Sequence, residues 1–323
     1  MGNTASGWRP TMAEHGPVVN ILLLGGSGQV GTEWLRLGRH DAALSQMQAP
    51  SRQELDLADA QAVRDWVRQQ RPQLIVNAAA YTAVDKAESE PDLAHALNAA
   101  LPTLLAQEAA GVGASMVHYS TDYVFAGTGQ QPHRENDPVQ PLSVYGKTKA
   151  LGEAGVRQHL SRHLILRTSW VMGAHGGNFL KTMLRLAIER EGLRVVADQA
   201  GVPTPAGLLA QMGWRAWRHC VQAEAAAHRA APWGLYHLAP RGETHWSDYA
   251  RLVLSEAQAR GWALKAGPMQ VTPITTADYP TPAQRPLNSR LDVSLFEQTF
   301  GVTLPDWQAG VRSTLDELRR PAS

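Results

Sequence analysis

The chain has 323 residues, 44% hydrophobic and 18% charged, with 30 Lys+Arg against 29 Asp+Glu for a formal charge of +1. That length fits one large or two modest domains, and the near-neutral balance argues against broad electrostatic binding to nucleic acid or an anionic membrane while leaving local basic patches open. A single cysteine, Cys220, excludes an internal disulfide scaffold and fits a cytoplasmic protein, and no apolar run reaches the roughly 18 residues of a membrane helix.

Met1–Pro17 mixes Gly, Ser, Thr and Pro without the apolar stretch of a signal peptide, and reads as a flexible extension. Val18–Leu24 is a short apolar run ending in glycines, the pattern of a strand buried on both faces of a parallel sheet. Gly28–Gly38 has helical spacing, and Ala42–Ala49 is a candidate second strand. Asp59 is placed to cap a helix running to Gln70, and Leu74–Ala78 is the next strand. Leu93–Ala110 reads as helix, Met116–Ser120 as strand, Val144–His159 as helix and His163–Thr168 as strand. Strands alternating with helices predict an α/β fold with a Rossmann-type, doubly wound parallel sheet. Right-handed crossovers then put every loop that follows a strand on one edge. Beyond Trp170 the rhythm loosens: Phe179–Glu191, Leu208–Ala225 and Trp246–Arg260 read as helices, Gly234–Ala239 as strand, and Thr272–Pro286 as an extended loop.

Gly25-Gly26-Ser27-Gly28-Gln29-Val30-Gly31 follows the first strand and opens the first helix. Glycines there permit a tight turn and let backbone N–H groups approach a pyrophosphate at the helix N-terminus. A glycine turn that only packs helix on strand is the alternative; the strand–turn–helix context favours a dinucleotide held by Gly25, Gly28, Gln29, Val30 and Gly31. After the second strand comes Ala49-Pro50-Ser51-Arg52, with no acid at the strand end. This predicts NADPH, with Ser51 and Arg52 on the 2′-phosphate, and leaves NADH open as a second cofactor. A solvated surface Arg52 is the competing reading. Asp56 and Leu57 are placed to flank the adenine, and Ala78, Ala79, Ala80, Tyr81 and Thr82 follow the third strand, where small residues let a cofactor lie close to the backbone. Tyr119, on the fourth strand, is a further candidate contact. The chain thus divides into residues 18–170 for the cofactor, with elements returning from about 205–245, and residues 171–323 mostly for the substrate.

Tyr145 and Lys149 share a helical face at i and i+4, so an ammonium can lie beside a phenol and favour its ionised form. Such spacing also arises by chance on exposed helices. Thr121, at the end of the fourth strand, puts a hydroxyl in the same cleft. The twelve histidines lack metal-ligand spacing and read as scattered or satisfied, so no metal ligands are assigned. Of the ten tryptophans, Trp34, Trp66, Trp214 and Trp217 read as core, and Trp170 stands above the cleft.

Taken with Val76–Ala80, Ala83–Glu88, His118–Phe125, Tyr145–Lys149, Arg167-Thr168-Ser169-Trp170, Asn178-Phe179, Pro203-Thr204, Tyr279–Ala283 and Arg285–Leu291, the glycine motif makes the chain resemble the extended short-chain dehydrogenase/reductases. Within them it is similar to the dTDP-4-dehydrorhamnose reductase family, from about Asn20 to Leu318. The resemblance implies NADPH-dependent reduction at C4 of a dTDP-4-dehydro sugar, with Tyr145 as proton donor, Lys149 stabilising the phenolate and orienting the ribose, and Thr121 tuning the site. It also implies Asp122 and Trp170 on the sugar. Asn178, Lys181, Arg285 and Arg290 are candidates for the diphosphate on their chemistry. Some relatives are Mg²⁺-assisted dimers held by glutamates. Glu33 is retained here, but Gly207 stands where another glutamate is expected, so Mg²⁺ is not supported by this sequence and a monomer or a simple homodimer is expected. Two alternatives are a nucleotide-sugar epimerase or dehydratase of the same superfamily and a non-catalytic NADP-binding regulatory subunit. A single acid beside Thr121 weighs against a dehydratase, and the intact Tyr145–Lys149 pair against the regulatory subunit.

Overall fold

The computed structural model describes residues 17–226 and 230–319, so all but Pro17 of the expected extension lies outside the described residues. Six strands form the central sheet: β1 (Asn20–Leu24), β2 (Gln46–Gln48), β3 (Leu74–Asn77), β4 (Ser115–Thr121), β5 (His163–Thr168) and β6 (Gly234–His237). Their order is β6-β5-β4-β3-β1-β2, and every pairing is parallel. Because β1 lies between β2 and β3, the crossovers leave in opposite directions there and open a crevice at the carboxyl ends of β1 and β3. The register lines up Leu24 with Asn77, Asn77 with His118, and Thr121 with Thr168.

Apart from the short edge strand β2, the strands are mostly apolar because both faces are covered. On one face Ile21, Leu23, Val76, Val117 and Leu166 pack against Trp34 of helix α1 (Gln29–Gly38) and against Trp214 and Trp217, which lie on a long later helix, Ala206–Ala225. On the other, Leu22, Leu24, Ile75, Met116 and Ile165 meet Val63 and Val67 of α2 (Ala60–Gln70) and Leu104 and Leu105 of α3 (Leu101–Val112). The period of two along β1 sorts its leucines between these cores. Burying each such side chain contributes about 1.5–3 kcal/mol. A separate core joins three helices, Phe179–Glu189, Trp246–Ala259 and Trp307–Arg319, to a parallel pair of short strands, Leu193–Val196 and Val271–Ile274.

Helix α4 spans Val144–His159 and β5 spans His163–Thr168, as the periodicity predicts. Three expectations need correction. The candidate strand Ala42–Ala49 is a 3₁₀ turn over Ala42–Leu44 followed by a three-residue strand, because Asp41 accepts the Ala43 N–H at 3.0 Å and caps the turn. The helix expected over Leu93–Ala110 is divided: Pro91–His95 is α-helical, Ala96–Ala100 has π geometry, and α3 follows. Pro102 donates no backbone N–H to the preceding turn, which fits a widened turn there. The loop expected over Thr272–Pro286 contains most of strand Val271–Ile274 and a 3₁₀ turn at Thr276–Asp278.

Candidate active site

The glycine loop follows β1 directly. Gly25 has φ +83°, and a Cβ there would lie 2.6 Å from the Ala79 nitrogen, so the loop is seated on the residues that follow β3. A Cβ on Gly31 would lie 2.1 Å from the Gly25 carbonyl oxygen, which holds helix α1 tight against the turn. No side chain caps α1, so the amides of its first turn face the crevice without a side-chain acceptor. This fits the pyrophosphate of a dinucleotide. Ala49, leaving β2, approaches Gly26: a Cβ built on Gly26 would be 3.2 Å from that of Ala49. Ser51 and Arg52 are exposed beyond it, and the Ser51 N–H donates to Glu54 at 2.7 Å. Asp56 is exposed and accepts from Ala58, whereas Leu57 is half-buried against the core. Ala78, Ala79 and Ala80 are half-buried along the crevice. Asn98 clamps the backbone of Tyr81 from both sides, at 2.8 and 3.1 Å, and leaves Thr82 exposed.

At the ends of β4 and the start of α4 the chemical groups converge. Ser143 caps α4 by accepting the Gly146 N–H at 3.1 Å, and Gly146 abuts the carbonyl of Tyr123, so the helix starts against the loop that follows β4. Tyr145 and Lys149 then project from one face. Burial pushes the Tyr145 phenol up to about 12, with the neighbouring Thr121 hydroxyl acting against that rise. Thr121 also donates to Asp122 Oδ1 at 3.0 Å, while Asp122 Oδ2 has no partner among the described residues. Burial raises the Asp122 carboxyl to about 6. Lys149 is buried; its ammonium donates to the Tyr119 carbonyl at 2.6 Å, and burial lowers it to about 8. The positive charge expected to favour the phenolate comes from Lys149 together with an oxidised nicotinamide ring; in the chain by itself desolvation dominates and Tyr145 is held protonated.

Tyr119 reaches this site only through that carbonyl. Its phenol accepts from Trp34 at 2.8 Å and donates to the Leu209 carbonyl at 2.9 Å inside the core, so its side chain is not a cofactor contact. Trp170 lies at the end of β5 with φ +45°, an uncommon conformation for a bulky residue. Trp246 stacks on it at 3.7 Å, which covers one face of the indole. The four diphosphate candidates are placed differently. Asn178 donates to Gln29 and to the Gly173 carbonyl, and Lys181 donates to the carbonyls of Ala174 and Gly176, so both tie a loop down beside α1. Arg290 is held by Asn288 and Glu243. Arg285 pairs with Asp85 at 2.8 Å and lies close enough to Tyr123 to act on its phenol electrostatically.

Glu33, His175 and Glu317 approach one another closely enough to suggest a metal. Arg36, however, pairs with both carboxylates, and Gly207 beside Glu33 offers no ligand, so the guanidinium already balances the charge and these residues do not fit Mg²⁺.

Five groups have no role assigned from the sequence: Asn77, His118 and Arg167, which stand inside motifs that carry the resemblance, and Glu153 and Trp246, which do not. Asn77 bonds the His118 ring, and Arg167 grips Glu153 at 2.9 and 2.6 Å with both side chains buried. A signal was present in three of them, because Asn77, His118 and Arg167 are polar positions within otherwise buried strands. Trp246 carries no comparable mark.

A parallel sheet with a glycine-rich first turn, and a Thr, Tyr and Lys meeting at its carboxyl edge, define an extended short-chain dehydrogenase/reductase. The family model for the RmlD substrate binding domain matches residues 19–320. The dTDP-4-dehydrorhamnose reductase of Escherichia coli K12 is 48% identical over 304 residues, covering 93% of this chain and 98% of the relative. A crystal structure of the Clostridium acetobutylicum dTDP-4-dehydrorhamnose reductase superposes with a TM-score of 0.81 at 34% identity, covering 93% and 99% of the two chains. The Bacillus anthracis reductase in complex with NADP superposes with the same TM-score, 0.81, at 30% identity over 93% and 99%. The chain belongs to the dTDP-4-dehydrorhamnose reductase family.

Proposed function

We propose that the protein is an oxidoreductase that uses NADPH to reduce the C4 ketone of dTDP-4-dehydro-β-L-rhamnose, yielding dTDP-β-L-rhamnose and completing the activated sugar. The observation that carries this reading is the placement of Tyr145 next to Thr121 and one helical turn before buried Lys149, in a chain 48% identical to the E. coli reductase.

NADPH, when bound, supplies the hydride for C4. Tyr145 donates its proton to the C4 oxygen as negative charge develops there. Thr121 holds the phenol in position. Lys149, one turn along the helix, favours the phenolate that remains and offers N–H groups to ribose hydroxyls. The free Asp122 oxygen accepts from a sugar hydroxyl, and Trp170, stacked on Trp246 and seated against Gly201, borders the sugar with the part of its indole left exposed. Arg285 is the best-placed of the four candidates for the diphosphate; Asn178, Lys181 and Arg290 serve by holding their loops. The open amides of Gln29, Val30 and Gly31 take the cofactor pyrophosphate, with Gly25 and Gly28 shaping the turn, and Ser51 and Arg52 take its 2′-phosphate. Asp56 and Leu57 flank the adenine, and Ala78–Ala80, Tyr81 and Thr82 line the cofactor's path.

On this reading residues 18–170 chiefly hold the cofactor, with contributions returning from about 205–245, and residues 171–323 chiefly hold the sugar. The protein works in the cytoplasm as a monomer or homodimer; no helix among the described residues is long and apolar enough to cross a membrane. The test is oxidation of NADPH with dTDP- and UDP-linked 4-dehydro sugars. Consumption that requires the dTDP sugar supports the reading, and consumption independent of any sugar overturns it.

A further inference from the structure

Three polar side chains pass in series beneath the catalytic helix. Asn77 ends β3, His118 lies beside it on β4, and Lys149 descends from α4. Asn77 Oδ1 accepts the Ala79 N–H at 3.2 Å, which fixes the amide so that its NH₂ faces the imidazole. Asn77 Nδ2 lies 3.1 Å from His118 Nδ1, and His118 Nε2 lies 3.4 Å from Lys149 Nζ.

This order dictates the tautomer. Nδ1 faces a donor, so it carries a lone pair. Burial first, then the neighbouring Lys149 and His163, keep the ring well below its ordinary range and therefore neutral. Its one proton then resides on Nε2 and points at Lys149. A neutral amine at Lys149 can donate to the Tyr119 carbonyl and accept from Nε2–H; an ammonium has no lone pair and meets a donor.

We propose that Asn77 and His118 are positioning residues, in which Asn77 locks His118 with its proton on Nε2 and that N–H, a donor facing Lys149, sets how readily Lys149 gives up its own proton. This rests on the ketoreductase reading only for its purpose, which is to set the pH above which Lys149 no longer offsets the Tyr145 phenolate. The other charged groups around Lys149 do not supply the same effect. Glu153, one turn further along α4, favours the ammonium, but both its oxygens are engaged by Arg167. Tyr145, one turn before, is neutral at working pH, and His163 reaches Lys149 only through His118.

The direct test is nitrogen-15 NMR of the histidine rings in the full chain without substrate, which is independent of any enzymatic reading. The His118 ring is expected to stay neutral and Nε2-protonated between about pH 6 and 9. A proton on Nδ1 would overturn the proposal. In Asn77→Asp the carboxylate accepts from Nδ1–H, which frees Nε2 to accept from the Lys149 ammonium. The ring proton should then move to Nδ1, and the alkaline limb of kcat/KM should move up by about one pH unit. The double variant Asn77→Asp/His118→Gln separates this from the added charge. A limb that stays put in the single variant, or moves equally in the double one, contradicts the role of His118.

Discussion

Tyr145 is suited to donating a proton because burial raises its phenol to about 12, while the alkoxide that forms on a reduced ketone is a much stronger base. Its neighbours bracket the working range. Burial raises the Asp122 carboxyl to about 6, and below that pH it loses the negative charge proposed to accept a sugar hydroxyl. Burial pulls Lys149 down to about 8, and above that pH it loses the ammonium proposed to offset the phenolate. A plot of kcat/KM against pH should therefore rise through about 6 and fall through about 8; a profile flat across either limb contradicts these roles. Below the catalytic residues, Arg167 and Glu153 form a buried bidentate pair to which the Ser120 hydroxyl also donates, at 2.5 Å. Glu153→Gln leaves a buried guanidinium without its counter-charge and should destabilise the fold by about 3–5 kcal/mol in chemical denaturation. A loss below about 1 kcal/mol would show that water reaches the pair.

The glycine turn depends on a contact that a single methyl group destroys. Gly31→Ala puts a carbon 2.1 Å from the Gly25 carbonyl oxygen, so α1 must move off the turn and its first amides lose their aim. The KM for NADPH should rise at least about tenfold, with a smaller effect on the KM for the sugar. Elements with strong local signals were legible in the sequence. Ser143 marks the start of α4, and His163–Thr168 is buried at every residue because it is a central parallel strand. β2 was not, since Asp41 diverts the first half of that segment into a turn. The helix over Trp307–Arg319 carried a readable stripe at Trp307, Val311 and Leu315 that the sequence reading passed over. Two-residue strands such as Ala200–Gly201 and Thr204–Pro205 are too short to show any period, and only their tertiary partners define them. The site was legible where glycine spacing and the Tyr–Lys interval encode it locally. The Arg290–Glu243 and Arg285–Asp85 pairs were not, because they join residues 47 and 200 positions apart.

Across the whole molecule, the sheet carries the chemistry on one edge and the third core stands apart from both of its faces. Trp170 connects the two, following β5 and packing on Trp246 at the start of a third-core helix. A cofactor seated on the sheet edge binds the folded chain and not the unfolded one. NADPH at about 100 times its Kd should add about 2.7 kcal/mol to stability, seen as a higher Tm that grows with cofactor concentration. An unchanged Tm would argue against a preformed crevice at Gly25–Gly31. The near-neutral charge of the chain takes on a local meaning here. The phosphate contacts proposed above are helix amides and a few basic side chains, which require no excess of basic residues. The most direct test of the central claim is the rate of NADPH oxidation with dTDP-4-dehydrorhamnose for the unaltered protein and for Tyr145→Phe. The unaltered protein should turn over, and the variant should fold normally yet lose about 10²–10⁴-fold in kcat. Undiminished turnover in Tyr145→Phe would contradict the assignment of Tyr145 as the proton donor.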